Sequence, residues 1–226
     1  MFKPLLASAL VALTASAPAF ADTLAQWTFE TSVPTTAGPI APEVGSGSAL
    51  GFHAGATTYS NPVGNGSNES FSSNNWLVGD YVQFSFSTLG YSGLTLSFDQ
   101  TSSGTGPRFF SVGYSLDGSN FTNFQGYAVL ANAAPNPPWS ASTYNPIYTQ
   151  IATLNGLAVL DNQPSVYIRL FNMSTEAAGG GTVASGGTSR IDNFTAMATA
   201  VPEPGSVALL LAGLAAVGFV ARRNRG

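Results

Sequence analysis

The sequence contains no cysteine and only one histidine, His53. The missing cysteines exclude disulfide bridges, thiolate metal ligands and cysteine nucleophiles. A single histidine excludes a metal site built from several imidazoles, and any Ser-His-Asp triad would have to use His53. Because no Gly-x-Ser-x-Gly elbow occurs in the chain, we expect His53 to have a structural role.

Charged residues are also scarce, at 8% of the chain, and lysine is absent between residues 22 and 200. In that region three basic residues, Arg108, Arg169 and Arg190, stand against ten acidic ones, which gives a formal charge of −7. A chain with this balance has no electrostatic means of binding nucleic acid phosphates, and without lysine it cannot form a Walker-type phosphate loop. We therefore predict no nucleic-acid partner.

A glycan-active hydrolase needs two carboxylates about 5–10 Å apart around one bond, and among ten acidic residues some pair will come this close by chance. Four of them, Asp80, Asp99, Asp117 and Asp161, fall at predicted turns or strand ends, where aspartate commonly bonds to the backbone. The sequence therefore favours a protein that is not an enzyme, and a glycan-active hydrolase is the least favoured alternative.

Residues 1–21 have the features of a secretory signal peptide. Lys3 supplies a basic start, an apolar stretch follows, and Ala19 and Ala21 form an A-x-A cleavage site. We predict that signal peptidase cleaves after Ala21, so that Asp22 begins the mature chain. The apolar stretch is short and the cleavage site follows it directly, which disfavours the alternative of a membrane anchor.

The mature region, residues 22–200, is long enough for one domain with a sizeable core. Its dominant hydrophobic period is two, which predicts β-strands with one buried face. Clear alternation occurs at 82–86, 94–98, 110–116 and 166–170, and further strands are predicted at 24–30, 49–53, 121–124, 147–154 and 190–196. The last segment needs a bulge, because Ile191 and Phe194 are three residues apart and cannot otherwise share a face.

Turn residues separate these strands, notably Asp117 and Gly118, which predict a tight hairpin. No mature segment shows a helical period. We therefore predict an all-β fold, an antiparallel β-sandwich of about eight to ten strands. A jelly roll, in which the first and last strands pair, is favoured over an immunoglobulin topology, and the pattern alone leaves both open.

Residues 201–226 combine a short polar motif, an apolar helix and a basic end. The motif is Val201, Pro202, Glu203 and Pro204, the hydrophobic helix is 206–221, and the basic end at 222–226 holds Arg222, Arg223 and Arg225. The uncharged run 207–221 makes a helix of about 22 Å, somewhat short of the ~30 Å hydrocarbon core but long enough for a marginal span when the arginines snorkel. The arginines predict a cytoplasmic C-terminus; the alternative is a buried terminal helix of a globular domain.

This tail resembles the PEP-CTERM sorting signal of exported proteins in Gram-negative bacteria, and all three of its parts occur in the expected order. The resemblance implies that exosortase, a membrane peptidase, recognises Pro202, Glu203 and Pro204 and processes the tail. These residues would then be a recognition tag. The two prolines keep the segment extended, which is the conformation that a protease binds.

The mature domain is similar to the jelly-roll ectodomains that often precede such tails, and to galactose-binding-like and carbohydrate-binding-module sandwiches. The likeness rests on GDYVQFSFSTLGYSGLTLSFDQTSSGTGPRFFSVGYSLDGSNF at 79–121, VYIRLFN at 166–172 and RIDNFTA at 190–196. It implies the fold and no particular ligand.

A structural calcium ion is the only candidate cofactor. Glu30 ends the first predicted strand and Asp192 lies in the last, so pairing of these strands would bring two carboxylates near one ion, as in related sandwich modules. The favoured alternatives are an ion pair between Glu30 and Arg190 or simple exposure of both carboxylates.

A sugar-stacking platform is the other candidate site. Trp139 and Tyr144 lie in the irregular segment 131–146, which we expect to be an exposed loop, and paired aromatic rings in loops commonly hold sugars. Trp27 alternates with Phe29 and is expected in the core, as are most phenylalanines.

The sequence thus predicts an exported, non-enzymatic protein of the cell envelope or extracellular matrix. The tail would anchor it briefly in the inner membrane, after which it would be displayed at the cell surface or released. The alternative is a carbohydrate-binding module that attaches to exopolysaccharide. Signal peptidase and exosortase are the expected processing partners.

Overall fold

The computed structural model describes residues 20–201 and 204–224, with side chains described throughout except at 204–210. Of the predicted processing residues, Ala19, Pro202, Glu203 and Arg225 lie outside the described residues. The prediction of a signal peptide at residues 1–21 therefore stays a prediction.

Within the described residues the chain forms thirteen strands and one α-helix. The strands are β1 (Ala21–Trp27), β2 (Val44–Gly45), β3 (Gly47–Phe52), β4 (Tyr59–Ser60), β5 (Phe71–Asn74), β6 (Tyr81–Phe86), β7 (Tyr91–Ser102), β8 (Phe109–Ser115), β9 (Thr122–Ala128), β10 (Leu130–Ala131), β11 (Thr149–Thr153), β12 (Val166–Asn172) and β13 (Thr188–Ala200). The helix, α1, is Pro204–Arg223, and short 3-10 helices lie at Pro146–Tyr148 and Ala158–Leu160.

The strands form two sheets, as the predicted β-sandwich requires. The larger has eight strands, with the central order β10-β7-β13-β1-β2, β11 beside β7, β5 beside β13 and β4 beside β5. The smaller has five, in the order β3-β6-β12-β8-β9. All its pairs are antiparallel, and in the larger sheet only the two-residue pair β10–β7 is parallel. The predicted pairing of first and last strands is confirmed, since β1 lies antiparallel to β13 from Ala21↔Thr199 to Trp27↔Phe194.

Aromatic side chains from both sheets meet at the centre of the core. Phe194 of β13 stacks on Phe84 of β6 with ring centroids 3.6 Å apart, and Trp27 of β1 meets both rings edge-on at 5.8 and 5.2 Å. Phe98 of β7 lies 6.0 Å from Phe194. The Trp27 Nε1 donates to the carbonyl oxygen of Ile40 at 3.0 Å, so the buried indole has its hydrogen bond.

The predicted bulge in the last strand is present. The β13–β7 register shifts between Asp192 and Thr195, and Asn193 takes a left-handed φ of 51°. The extra residue brings Ile191 and Phe194 to the same buried face.

One buried strand, β5, was not predicted. Its sequence, FSSN, has a single apolar residue, so no hydrophobic alternation marks it. It is a strand because β13 and β4 both pair with its backbone, and this pairing satisfies the polar groups that burial would otherwise leave unbonded.

The predicted hairpin between β8 and β9 is confirmed. Gly118 takes a φ of 72°, which favours glycine, and the Asp117 carboxylate accepts hydrogen bonds from the backbone N–H groups of Ser119 and Asn120 at 2.8 Å each. The Asn120 side chain, which donates to the same carboxylate at 2.7 Å, and these two backbone donors hold the pKa of Asp117 well below its usual range.

The C-terminal helix begins at Pro204 and ends at Arg223, somewhat longer at both ends than the predicted 206–221. Arg222 and Arg223 lie in its last turn. Of the helical residues that the structure describes, no stretch is both long enough and apolar enough to span a bilayer.

Candidate functional site

The outer face of the five-stranded sheet carries aromatic rings stacked around one arginine. Alternation along β12 turns Ile168 and Leu170 into the core and leaves Arg169 on the outer face. The Arg169 guanidinium lies 3.8 Å from the ring centroid of Tyr81 on one side and 3.7 Å from that of Phe121 on the other. Phe52 stacks on the Tyr81 ring with centroids 5.0 Å apart. We call these four residues, Phe52, Tyr81, Arg169 and Phe121, the arginine stack.

Two polar contacts hold Arg169 between the rings. Its Nε donates to the side-chain oxygen of Gln83 at 2.9 Å, and its Nη2 donates to the carbonyl oxygen of Gly118 at 3.3 Å. Among the described residues Arg169 forms no ion pair; the arginine that does is Arg108, which pairs with Glu176. Partial burial lowers the pKa of Arg169, but a guanidinium stays charged at neutral pH. The stack therefore offers a fixed cation together with aromatic surface, of which Phe52 is 46% exposed.

The strand register extends this face toward an open groove. Phe52, Tyr81 and Phe171 lie side by side on β3, β6 and β12, and the same row continues to Ser111 and Gly126. The groove at that end measures about 550 Å³, within the range of small-ligand sites, and is lined by Phe109, Phe110, Ser111, Gly126, Tyr127, Ala128 and Met173. This face can hold a flat or extended ligand against rings and a guanidinium.

This face was not predicted from the sequence, although the alternation along β12 indicates it. Tyr167, Arg169 and Phe171 occupy alternate positions of one strand, so they must share a face. Arg169 is also one of only three basic residues between 22 and 200.

The predicted platform of Trp139 and Tyr144 was wrong as a pair. Trp139 is only 3% exposed and lies edge-on to Tyr148 with centroids 5.9 Å apart, because segment 131–146 folds back onto the sandwich. Hydrogen bonds from the Trp139 backbone N–H to Asn132 and from the Tyr148 hydroxyl to Pro137 fix this arrangement. Tyr144 is 52% exposed, and its hydroxyl is 2.6 Å from the Thr149 hydroxyl, so only this ring faces solvent.

The bulge in β13 places two carboxylates in a buried polar cluster. Asp192 and Asp99 are register partners on β13 and β7, both are buried, and the Asn193 side-chain amide donates to Asp99 at 2.9 Å and to Asp192 at 3.3 Å. Asp192 also accepts hydrogen bonds from the Asn65 backbone at 2.9 Å and the Ser67 hydroxyl at 2.6 Å. We call Asp99, Asp192, Asn193 and residues 65–69 the bulge site.

Burial raises the pKa of Asp192 to about 7, and the neighbouring Asp99 charge adds to the effect. The hydrogen bonds from Ser67, Asn65 and Asn193 oppose this rise and are too weak to cancel it. At neutral pH the bulge site is therefore a place where a cation would be stabilised.

The predicted calcium ligand Glu30 reaches the same loop from the other side. Its carboxylate accepts a hydrogen bond from the Glu69 backbone at 2.7 Å and one from the Asn68 side chain at 3.2 Å. Among the described residues Glu30 forms no ion pair with Arg190, whose guanidinium lies 3.5 Å from the Val63 carbonyl oxygen instead. Glu30 and Asp192 thus both accept hydrogen bonds from residues 65–69, Glu30 from Asn68 and Glu69 and Asp192 from Asn65 and Ser67.

The oxygen atoms near Gly64 indicate whether the bulge site could hold a cation. A Cβ on Gly64 would collide with the Ser67 hydroxyl, the Asp192 carboxylate and the Glu69 carbonyl oxygen, so three oxygen atoms converge there. Such a donor set suits calcium, which takes carboxylate, hydroxyl and carbonyl oxygens. In the described part of the chain, however, no three His, Cys, Asp or Glu side chains lie close enough to hold a metal. A calcium site here would depend on backbone oxygens as well as on carboxylates.

His53 lies in a buried hydrogen-bonded chain. Its Nδ1 is 2.9 Å from an Asp80 carboxylate oxygen, and its Nε2 is 3.0 Å from the Ser73 hydroxyl. Ser73 and Asp80 are buried, and the imidazole meets the Trp76 ring edge-on with centroids 4.6 Å apart. The order of groups is that of a catalytic triad, but the Ser73 hydroxyl points into the sandwich, where no substrate reaches it. The arrangement agrees with a structural role for His53.

The C-terminal end of the chain matches a known family model over residues 200–225, described as the PEP-CTERM protein-sorting motif. The tail is a PEP-CTERM motif. This match confirms the resemblance seen in the sequence. A PEP-CTERM motif implies export of the protein and a C-terminal tail that passes through the membrane, and it implies processing by exosortase.

No curated protein sequence matches this PEP-CTERM chain. Among solved structures it is similar to the CBM22-1 and GH10 modules of Clostridium thermocellum endo-1,4-β-D-xylanase 10B complexed with xylohexaose, with 13% identity, a TM-score of 0.46, and coverage of 80% of this chain and 29% of that one. It is similar to the K1 cleaved adhesin domain of Lys-gingipain from Porphyromonas gingivalis, with 13% identity, a TM-score of 0.45, and coverage of 80% and 99%.

A third similar structure is a putative sugar binding protein from Bacteroides thetaiotaomicron, with 12% identity, a TM-score of 0.45, and coverage of 78% of this chain and 100% of that one. None of the three likenesses reaches a TM-score of 0.5, and no ligand is assigned from them.

Proposed function

We propose that this protein is an exported, non-enzymatic component of the cell envelope or extracellular matrix, delivered through its PEP-CTERM tail. The match of residues 200–225 to the sorting motif carries the proposal. Signal peptidase cleaves after Ala21, helix α1 is held transiently in the inner membrane with its arginines on the cytoplasmic side, and exosortase acts at residues 201–204. The sandwich is then displayed at the cell surface or released.

The chemistry of the domain supports a role without catalysis. The serine beside His53 is buried, and the two neighbouring carboxylates of the bulge site, Asp99 and Asp192, are buried as well. A hydrolase needs its reacting groups in a cleft that admits substrate.

Intact-mass spectrometry of the protein isolated from its native host tests this proposal. We expect a mature chain that begins at Asp22 and ends within or near residues 201–204, with the mass of any attached group at that end. A chain that retains residues 1–21, or one that retains the basic end after reaching the cell surface, contradicts it.

A second proposed function is binding of exopolysaccharide on the outer face of the five-stranded sheet. The arginine stack and the adjoining groove support it, because sugar rings pack on aromatic surface while their hydroxyls accept hydrogen bonds from a guanidinium. This face takes the place of the Trp139–Tyr144 platform.

Affinity electrophoresis in gels containing the host exopolysaccharide tests this binding. We expect Phe52→Ala to weaken it at least tenfold, about 1.4 kcal/mol, because the change removes exposed ring surface from the stack. Ile151→Ala is the matched control, since Ile151 is an exposed apolar residue of the other sheet. Equal retardation of wild type and Phe52→Ala, or no retardation of the wild type, contradicts binding at this face.

We also propose that the bulge site holds a structural calcium ion between Glu30 and Asp192. The raised pKa of Asp192 and the oxygen atoms around Gly64 support it. At a hundredfold excess of calcium over its Kd, the unfolding free energy should rise by about 2.7 kcal/mol. This corresponds to an increase in Tm of roughly 5–10 °C for a domain of this size.

Differential scanning calorimetry with and without calcium measures that change. Asp192→Asn and Glu30→Gln should abolish the rise in Tm with calcium. Glu43→Gln is the control and should retain it, because the Glu43 carboxylate also accepts hydrogen bonds from backbone N–H groups, but from those of Thr28 and Thr31. A wild-type Tm that calcium leaves unchanged, together with no heat on titration, ends the calcium proposal.

A further inference from the structure

The last strand is paired up to its final residue. Ala198 is the register partner of Asp22 on β1, Thr199 is the partner of Ser92 on β7, and Ala200 is the partner of Tyr91. The Val201 backbone N–H then donates to the Gly90 carbonyl oxygen at 2.8 Å. The folded domain therefore extends to the first residue of the sorting motif.

The connection between the domain and helix α1 is very short. Strand β13 ends at Ala200 and α1 begins at Pro204. Four Cα–Cα steps, at up to about 3.6 Å each, reach no more than about 14 Å. The polar headgroup layer on one side of a bilayer is itself about 5–8 Å thick. With α1 inserted to its first turn, Ala200 cannot lie more than several ångströms outside the headgroups.

Three exposed apolar side chains lie on the surface beside Ala200. Leu89 is 55% exposed, Val201 48% and Val159 49%. The Gly90 backbone N–H donates to the Asn162 side-chain oxygen at 2.8 Å, and the Asn162 backbone N–H donates to Tyr91 at 2.9 Å, so the turn before β7 and the segment after Val159 form one surface. We call Leu89, Gly90, Val159, Asn162 and Val201 the end face.

We propose that the end face rests on the lipid headgroup layer while the tail is inserted, so that the motif is offered to exosortase at the bilayer surface with no spacer. The inference rests on the proposed insertion of α1. Lysine is absent from residues 22–200, so the contact depends on the tether and on apolar side chains rather than on attraction to anionic lipids. The domain stands on the membrane with the long axis of β13 rising from it.

The absence of cysteine makes site-specific labelling of the full chain direct. Single variants Leu89→Cys and Val159→Cys carry a fluorophore at the end face, and Thr182→Cys carries it near the start of β13, roughly 40 Å away along the strand. Leu214→Cys reports insertion of α1. Each labelled chain is reconstituted in phosphatidylcholine vesicles without a quencher and with a nitroxide on the lipid headgroup, and the chain labelled at residue 214 is also reconstituted with a nitroxide on the lipid acyl chain, which reports its quenching.

We expect quenching at residues 89, 159 and 214 to exceed that at residue 182 at least twofold. A twelve-residue Gly-Ser insertion between Ala200 and Val201 should reduce quenching at 89 to the level at 182 and leave 214 unchanged. Quenching at 214 without quenching at 89 overturns the inference and leaves the proposed insertion intact. No quenching at 214 overturns the proposed insertion, and the inference with it. If the fluorescence of the label at residue 89 changes with protein concentration in the absence of lipid, the end face contacts a second copy of the chain. This result also overturns the inference.

Discussion

Replacing His53 with leucine is expected to lower the free energy of unfolding by about 2–4 kcal/mol, because the buried Asp80 carboxylate and Ser73 hydroxyl each lose a hydrogen bond to the imidazole. The His53 and Asp80 side chains are each only 1% exposed and lie 2.9 Å apart. Leucine would leave the Ser73 hydroxyl without its acceptor and Asp80 with only the backbone N–H groups of Ala54 and Leu77. Urea unfolding of the full chain measures the change.

The same pair makes the free energy of unfolding depend on pH, and the sign of this dependence follows from the pKa of His53. Burial lowers this pKa, and the Asp80 charge opposes the shift without reversing it. Below pH ~6.5 the unfolded chain therefore takes up a proton that the folded chain resists, and stability falls as the pH drops through that region. Above pH ~6.5 the stabilisation contributed by the neutral His53 side chain is fully present.

Asp192 titrates in the opposite sense and must be separated from His53. Its pKa is raised to about 7, so the folded chain holds a proton that the unfolded one releases, and this contribution to stability is lost as the pH rises from about 4 to about 7. The difference between the wild-type and His53→Leu stability curves isolates His53. We expect this difference to shrink as the pH falls below ~6.5, and a difference that is constant from pH 5 to 8 contradicts the assignment.

Replacing Phe194 with alanine should cost about 3–5 kcal/mol, the usual range for a buried phenylalanine. The ring is fully buried, stacks on Phe84 at 3.6 Å and contacts Trp27 and Phe98. It joins the two sheets, so its loss opens a cavity that neither sheet can close alone.

Phe124→Ala is the matched control, because Phe124 lies on β9 and is 37% exposed. We expect the Phe124→Ala variant to lose only about 1 kcal/mol of unfolding free energy, well below the loss for Phe194→Ala. Similar losses in the two variants, measured by urea unfolding, contradict the central position given to Phe194.

The strands with alternating apolar residues were predictable, because each carries its own burial pattern. β6, β8 and β12 are examples, and the bulge in β13 followed from the three-residue spacing of Ile191 and Phe194. The short strand β5 was not predictable, because its place depends on backbone pairing with β13 and β4 and not on its own side chains.

The candidate sites divide in the same way. The pairing of the first and last strands predicts that Glu30 and Asp192 approach one another, and each of them accepts a hydrogen bond from the loop at residues 65–69. The arginine stack joins residues from three strands and the hairpin after β8, so no local pattern contains all of it. The burial of Trp139 depended on how an irregular segment folds back, which its sequence does not determine.

By itself, the sequence determined the β-sandwich class, the sorting motif and the export that this motif implies, because periodicity and short linear motifs are local properties of the chain. Only the tertiary structure decided that Asp99 meets Asp192, that His53 joins Asp80 to Ser73, and that the motif begins where the last strand ends. These features depend on contacts between residues distant in the chain. The free energy of such contacts comes from burial and pairing, which no single segment encodes.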